Sequence, residues 1–386
     1  MKIQFKETPE QLELIAAMGS KDKAKAAAAQ MAFANLIAPT LGTIYQQADT
    51  TGFLYRDMPY RTDDDPSFPI ELFANVPEGH FSIWSAPKPG GLPSNHISQS
   101  IDEVKFTTYR LDSAWSINSK YARKMRLPIV AKALQRLVQE VLLKTNYSAW
   151  SVLLAALAQA THTIGGTSLG HVFASATDAA FTMDDFNQLQ TYFRRLNSSW
   201  VGGTPVGGAG KPTDMIVSPE MLEKFRSMSY NPINTTGPKG LALSTSNAGS
   251  ASTVVLPEAQ RAALYNSGGV PEFYGISLIE LLELGKSQDY QTLFAEFIGS
   301  RDLPLISTKA ASGRTFSASG DELVIIVDAT KDMAYRAIAT DSDTGSVFSL
   351  EADDQYQKRA DKVGWYGGIE EGRVVTDTRF IAALAV

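Results

Sequence analysis

The stretch Pro128-Ile-Val-Ala-Lys-Ala-Leu-Gln-Arg-Leu-Val-Gln-Glu-Val-Leu-Leu-Lys-Thr-Asn-Tyr-Ser-Ala-Trp-Ser-Val-Leu-Leu-Ala-Ala-Leu-Ala-Gln-Ala160 decides the architecture. Val130, Leu134, Leu137, Val138, Val141 and Leu142 recur at the spacing of one helical face. Lys132, Gln135, Arg136, Gln139 and Glu140 occupy the opposite face. Pro128 suits a first helical turn, where its missing N–H costs nothing. The pattern continues through Val152, Leu153 and Leu157. A single helix here would run about 50 Å at 1.5 Å per residue, against an average of about 11–12 residues for globular helices. Two helices broken near Thr145-Asn146 are the alternative.

Upstream of this rod the chain reads as β. Phe68–Phe73 and Phe81–Ser85 are short strand candidates, and Val104–Leu111 alternates in the strand manner before Trp115-Ser-Ile117. Between them Ala86–Asn95 is dense in Pro and Gly. Two β segments around such a tip predict a long hairpin with too few residues for a private core, and so one that projects. Further upstream, Gln11–Ala17 and Lys25–Ile37 have helical composition with the run Ala26-Ala-Ala-Ala29. Alanine favours helix but offers little surface to bury. The expectation is an arm that makes no core of its own and is held by a neighbour, for which another copy of the chain is a candidate.

Downstream, helix and strand alternate. Thr182 with Asp185 predicts an N-cap for the amphipathic run Phe186, Leu189, Phe193, Leu196. Met215-Ile-Val217 predicts a strand, and Ser218-Pro219-Glu220 opens a helix. Pro257 starts another helix that stops at Asn266–Gly269, and Ile276–Leu282 and Leu323–Val327 are buried-strand candidates. The last forty residues predict strands at Val347–Leu350, Val363–Val375 (with glycine kinks or bulges) and Thr378–Leu384, with a helical turn at Asp353–Lys358.

Composition removes whole classes. Of 386 residues, none is cysteine, which excludes disulfide scaffolds, thiolate metal sites and a cysteine nucleophile. The net charge of -6 argues against a nucleic-acid grip. Lys, Glu and Gln interrupt the N-terminal stretch too often for a signal peptide. No apolar window is long enough for a membrane span, so the expected setting is a reducing cytosol and no membrane partner.

The search for chemistry gives little. His80, His96, His162 and His171 show no tight metal spacing, and Asp63-Asp64-Asp65 reads as a solvated turn. Gly166-Thr-Ser168-Leu-Gly170 matches the nucleophile-elbow pattern but follows a helix, and its only later histidine is His171, with no acid between. The Val201–Lys211 glycine loop fails the phosphate-loop pattern, since Pro212 follows Lys211. Lys88 at the hairpin tip reads as a solubilising side chain, and the sequons at Asn146, Asn197 and Asn234 are idle without secretion. No catalytic, cofactor-binding or metal residue is expected, and no enzyme activity.

The order of these parts resembles the major capsid proteins of tailed bacteriophages, the Hong Kong 97 fold. The resemblance rests on the long helix, the closing pattern Val347–Leu350, Asp353–Lys358, Val363–Val375, Arg379-Phe-Ile381, and the strand-into-helix step Met215–Leu222. It implies an α+β fold with an N-terminal arm at 1–55, an E-loop hairpin at 56–112 and a P-domain with its spine helix at 113–163. An A-domain would follow at 164–345, with a returning P-domain at 346–386. It further implies self-assembly into hexamers and pentamers of an icosahedral head, in a virion built in host cytoplasm, around DNA held without sequence-specific contacts. A separate scaffolding protein would be a partner, since no long helical segment precedes the arm, with a portal and a possible decoration protein. The alternatives are an encapsulin-like compartment shell and, from another class, a soluble α/β enzyme acting through Ser168.

Overall fold

The computed structural model describes residues 9–69, 103–124, 127–164, 167–175, 181–198, 211–229, 272–299, 315–330, 333–341, 346–353 and 362–386. The helices are α1 Pro9–Met18, α2 Lys23–Ala48, α3 Ser119–Arg123, α4 Leu127–Gln159, α5 Met183–Ser198, α6 Pro219–Ser229 and α7 Asp289–Gly299. The strands are β1 Tyr55–Arg61, β2 Ser67–Pro69, β3 Glu103–Lys105, β4 Tyr109–Asn118, β5 Thr161–Ile164, β6 Thr167–Gly170, β7 Val172–Ala174, β8 Asp214–Val217, β9 Glu272–Phe273 and β10 Ile276–Glu280. They continue with β11 Leu323–Val327, β12 Ala334–Thr340, β13 Ser349–Asp353, β14 Lys362–Val375 and β15 Ile381–Ala385. The fold is α+β, and it divides into two units, with the division falling inside α4 between Trp150 and Ser151.

The first unit holds the described residues of Met1–Pro69, Glu103–Trp150 and Ala334–Val374. Its five-stranded sheet runs β1-β12-β14-β13, with β4 also paired to β14. β1 and β12 are parallel, while β4 and β13 each lie antiparallel to β14. The pairing of β14 with β4 is unbroken from Lys362↔Asn118 to Glu371↔Tyr109, so the glycines do not make the bulge the sequence suggested. They allow close approach instead: a Cβ on Gly367 would stand 2.6 Å from the Ser349 carbonyl oxygen of β13. β2 and β3 pair antiparallel, as the base of the expected hairpin would. β1 and β4, which the sequence assigned to that hairpin, are sheet strands, because each finds a long ladder partner in the body. Residues 70–102, including Phe81–Ser85, lie outside the described residues.

The arm departs from expectation. Ile15, Met18, Phe33, Ala34, Ile37, Leu41 and Ile44 are buried in one cluster with Val138 and Val141 of α4 and Val363, Trp365 and Ile369 of β14. The arm helices therefore share a core with their own chain. The alanines let α2 lie close, and Phe33 supplies the area they lack, its ring centroid 5.4 Å from that of Trp365. α2 also continues past Ile37 through Pro39 to Ala48. Packing of Leu41 and Ile44 outweighs the lost backbone bond there.

The second unit holds the described residues of Ser151–Met333 and Val375–Val386. Its six-stranded sheet runs β7-β15-β11-β8-β10-β9. β15 thus belongs to this sheet, and β12 to the other, the reverse of the assignment from sequence order. All five residues of β15 are buried, and a strand apolar on both faces needs a place inside a sheet. Phe173, Phe186, Phe193, Phe225 and Phe273 fill the core beneath it. The expected caps are present: Thr182 Oγ1 accepts from Asp185 N at 3.2 Å, and Ser218 Oγ from Met221 N at 3.2 Å. Between β9 and β10, Tyr274 and Gly275 both have positive φ, the geometry of a tight two-residue hairpin.

α4 is one helix, without the break considered at Thr145-Asn146. Its Gln135–Gln159 portion is long and apolar enough to cross a membrane by composition, with mean hydropathy 1.3. Leu153, Leu154, Leu157 and Ala158 are wholly buried in protein, so it is a core helix here.

Candidate functional site

Among the described residues, those singled out for chemistry do not converge. Ser168 lies within β6, where the pairing sets it opposite Thr163, while His162 is paired with Leu169. The serine sits in a strand, and no strand-turn-helix elbow forms. His171 is fully buried, its Nδ1 2.9 Å from the Ile381 carbonyl oxygen. Burial pushes its pKa down to about 4, so the ring is neutral and its Nδ1–H donates to that carbonyl. His162 is half-buried and also lowered, chiefly by desolvation and then by the Arg379 charge. Arg379 is paired with Asp377, its Nε 2.9 Å from Asp377 Oδ2. Asp63, Asp64 and Asp65 lie exposed in the turn after β1, with Asp65 3.9 Å from Lys105 Nζ. Among the described residues no three His, Asp or Glu side chains gather as a metal site. His80, Lys88, His96, Asn234, the 201–210 loop, the helix beginning at Pro257 and residues 354–358 lie outside the described residues.

Among the described residues, the densest polar constellation was not anticipated from the sequence. Asp49 caps the C-terminal end of α2. Its Oδ2 is 2.8 Å from Arg336 Nη1 and 3.1 Å from Arg373 Nη2, and its Oδ1 accepts from Thr51 N at 2.9 Å and Thr51 Oγ1 at 2.7 Å. Glu371 completes the square. Its Oε2 lies 3.2 Å from Arg373 Nη2 and 3.1 Å from Arg336 Nε, and Tyr109 donates to its Oε1 at 2.6 Å. The Arg336 Nε–Glu371 contact is an ion pair without hydrogen-bond alignment. Side-chain exposure is 3% for Asp49 and Arg336, 1% for Arg373 and 0% for Glu371. Two cations and two anions are thus buried together.

The charges in this square support one another. Burial alone would raise the Asp49 carboxyl, but Arg373, the Thr51 bonds and Arg336 hold it below the ordinary carboxylate range. Desolvation would lower Arg373, yet Glu371 and Asp49 hold it above its usual value. The Arg373 guanidinium also stands over the Tyr55 ring at 5.0 Å. Tyr55 OH donates to the Ala149 carbonyl at 2.9 Å, and Trp150 Nε1 to Thr50 Oγ1 at 3.3 Å. The cluster ties the end of the arm to β1, β4, β12, β14 and α4. Its bonds and ion pairs fix where the C-terminal end of α2 sits against the sheet.

Each of the two long helices turns apolar side chains outward. α2 carries no charge between Lys25 and Asp49, and it exposes Met31 at 64% and Leu36 at 52%. α4 exposes Leu143 at 58% and Tyr147 at 40%.

No protein-family model and no curated protein sequence matches the chain. Among solved structures it is similar to the capsid of the cyanophage P-SCSP1u, at 14% identity over 86% of each chain with a TM-score of 0.47. It is also similar to the capsid of a native GTA particle, at 12% identity over 89% of this chain and 90% of that one, with a TM-score of 0.45. A third similarity is to the holo-SrpI encapsulin complex of Synechococcus elongatus PCC 7942, at 10% identity over 86% of this chain and 84% of that one, with a TM-score of 0.42.

Proposed function

We propose that this chain is the major capsid protein of a tailed bacteriophage, a subunit of the Hong Kong 97 type that closes into a shell around double-stranded DNA. One observation carries this reading: the antiparallel pair β2–β3 lies in chain order between β1 and β4, two strands of a sheet that shares its core with a 33-residue helix. A stiff bar, and a base from which the chain can reach toward a neighbour, are two parts a repeating lattice needs. The outward Met31, Leu36, Leu143 and Tyr147 give that unit apolar surface for contacts between copies. Closure multiplies weak contacts, because removing one subunit must break several at once. The inner face of α1–α2 is spent on the chain's own core, so between copies α2 offers its outward Met31 and Leu36.

The surplus of acidic residues suits a container that holds DNA without gripping it. Under this reading the subunits form hexamers and pentamers in the host cytoplasm, with a scaffolding protein, a portal and a possible decoration protein as further partners, and the chain performs no catalysis. Electron microscopy of the purified full chain tests it. Angular closed particles are expected, and a discrete monomer or dimer at all concentrations would overturn it. Nuclease-protected DNA inside particles recovered from infected cells separates a virus head from a protein compartment.

A further inference from the structure

The seat of the arm contains a concentration of polar atoms with nowhere to go. Gln30 lies on the inner face of α2, 0% exposed, and neither its Nε2 nor its Oε1 has a hydrogen-bond partner. The indole N–H groups of Trp115 and Trp365 are likewise buried and unpartnered, as is Gln11 Oε1 of α1. The two indoles are stacked, with ring centroids 4.3 Å apart, and Phe33 of α2 leans on Trp365. Beneath the arm, then, three side chains of the chain's own body and α2 hold amide or indole groups that water would satisfy and the protein does not. Buried donors and acceptors without partners are normally rare, and each weakens the surface that hides it.

The other end of the same helix is built in the opposite manner. At Asp49 every carboxylate oxygen is engaged, by Thr51, Arg336 and Arg373. One helix therefore has a loosely held length and a firmly held root. The inner contacts of the loose length are apolar and rich in alanine, so little directional bonding resists its departure. Its outer face already exposes Met31 and Leu36, so departure need not break contacts there.

We propose that α1–α2 is a strap that lifts from the Trp115–Trp365 face as one unit, back to the Asp49 root, while the sheet beneath stays folded. Lifting hydrates Gln11, Gln30 and both indoles together, which offsets part of the apolar surface it uncovers. The inference concerns the subunit by itself and stands whether or not copies assemble.

Hydrogen exchange followed by mass spectrometry on the purified full chain tests it. Amides of α2 between Ala26 and Leu41 are expected to exchange faster than those of β14 between Val363 and Glu371 by at least about ten-fold, through local opening. Gln30→Leu removes the buried amide and should slow exchange in α2 by about ten-fold with β14 unchanged. Phe33→Ala should speed it by a similar factor, again with β14 unchanged. Exchange of α2 and β14 at one common rate would overturn the strap, as would unchanged α2 rates in Gln30→Leu or an equal shift of both elements in Phe33→Ala. A chain that forms particles but shows this common rate would lose the strap and keep its reading as a shell protein.

Discussion

Arg373 Nη2 stands 3.1 Å from Asp49 Oδ2, across 324 positions of the chain, with both side chains almost fully withdrawn from water. The pair joins the end of the arm to the long strand that returns near the C-terminal end of the sequence. Such a contact is worth little as a net gain over apolar packing, because two charges had to be desolvated. It is costly to break from one side.

Arg373→Met should therefore destabilise the protein by about 3–5 kcal/mol, since Asp49 and Glu371 would be left buried with too little positive charge. Arg110→Ala is the comparison. Arg110 contacts Asp112 at 2.6 Å, but their side chains are 48% and 37% exposed, and the expected loss is below about 1 kcal/mol. Urea unfolding of both variants measures the difference, and similar losses would contradict the burial argument.

Gly367→Ala should cost about 1–3 kcal/mol by forcing β13 away from β14, because the added methyl would meet backbone and not a movable side chain. Gly299→Ala, where a Cβ meets nothing within 4 Å, should change stability by no more than about 0.5 kcal/mol. Thermal unfolding of the two single variants under one buffer checks the contrast.

The buried His171 sets a pH dependence whose sign follows from its lowered pKa. In the unfolded chain an ordinary histidine takes up a proton near pH 6.5, whereas the folded ring resists until about 4. Stability is thus fully retained above pH 6.5, is lost progressively as pH falls toward 4, and has no further slope from this group below that. A gap of this size is worth about 3 kcal/mol. Neighbouring His162 is lowered as well, so the comparison must be with a variant. His171→Gln should flatten the fall in melting temperature between pH 7 and 4.5. An unchanged profile would show that the loss comes from elsewhere.

Elements governed by local pattern were legible. α4 announces itself by spacing, α5 and α6 by their caps, and β8, β11 and β14 by runs of apolar or β-branched residues. β12 was not, because Arg336 sits in the middle of a strand that is buried almost throughout. A charged residue argues against burial until its partners are known, and these are Asp49 and Glu371, hundreds of positions away in one case and dozens in the other. α7 was missed for a related reason: Gln291 is buried in it and bonds to the Ala318 carbonyl at 2.9 Å, a contact no periodicity encodes.

The arm shows the same limit from the other side. Its helices were legible, and their destination was not. Alanine content says that a helix has little to bury but not that a Trp face on the same chain matches it. The amino-acid order alone determined the long helix, the capped helices, the most apolar strands, the lack of thiol chemistry and the weakness of the catalytic patterns, because those depend on neighbours within a few turns. Tertiary structure alone decided that the arm packs on its own sheet, that β15 and β12 exchange the units expected of them, and that four charges meet at the root of α2. Each of these depends on free energies of burial and pairing between distant segments, which exist only once the chain has closed on itself.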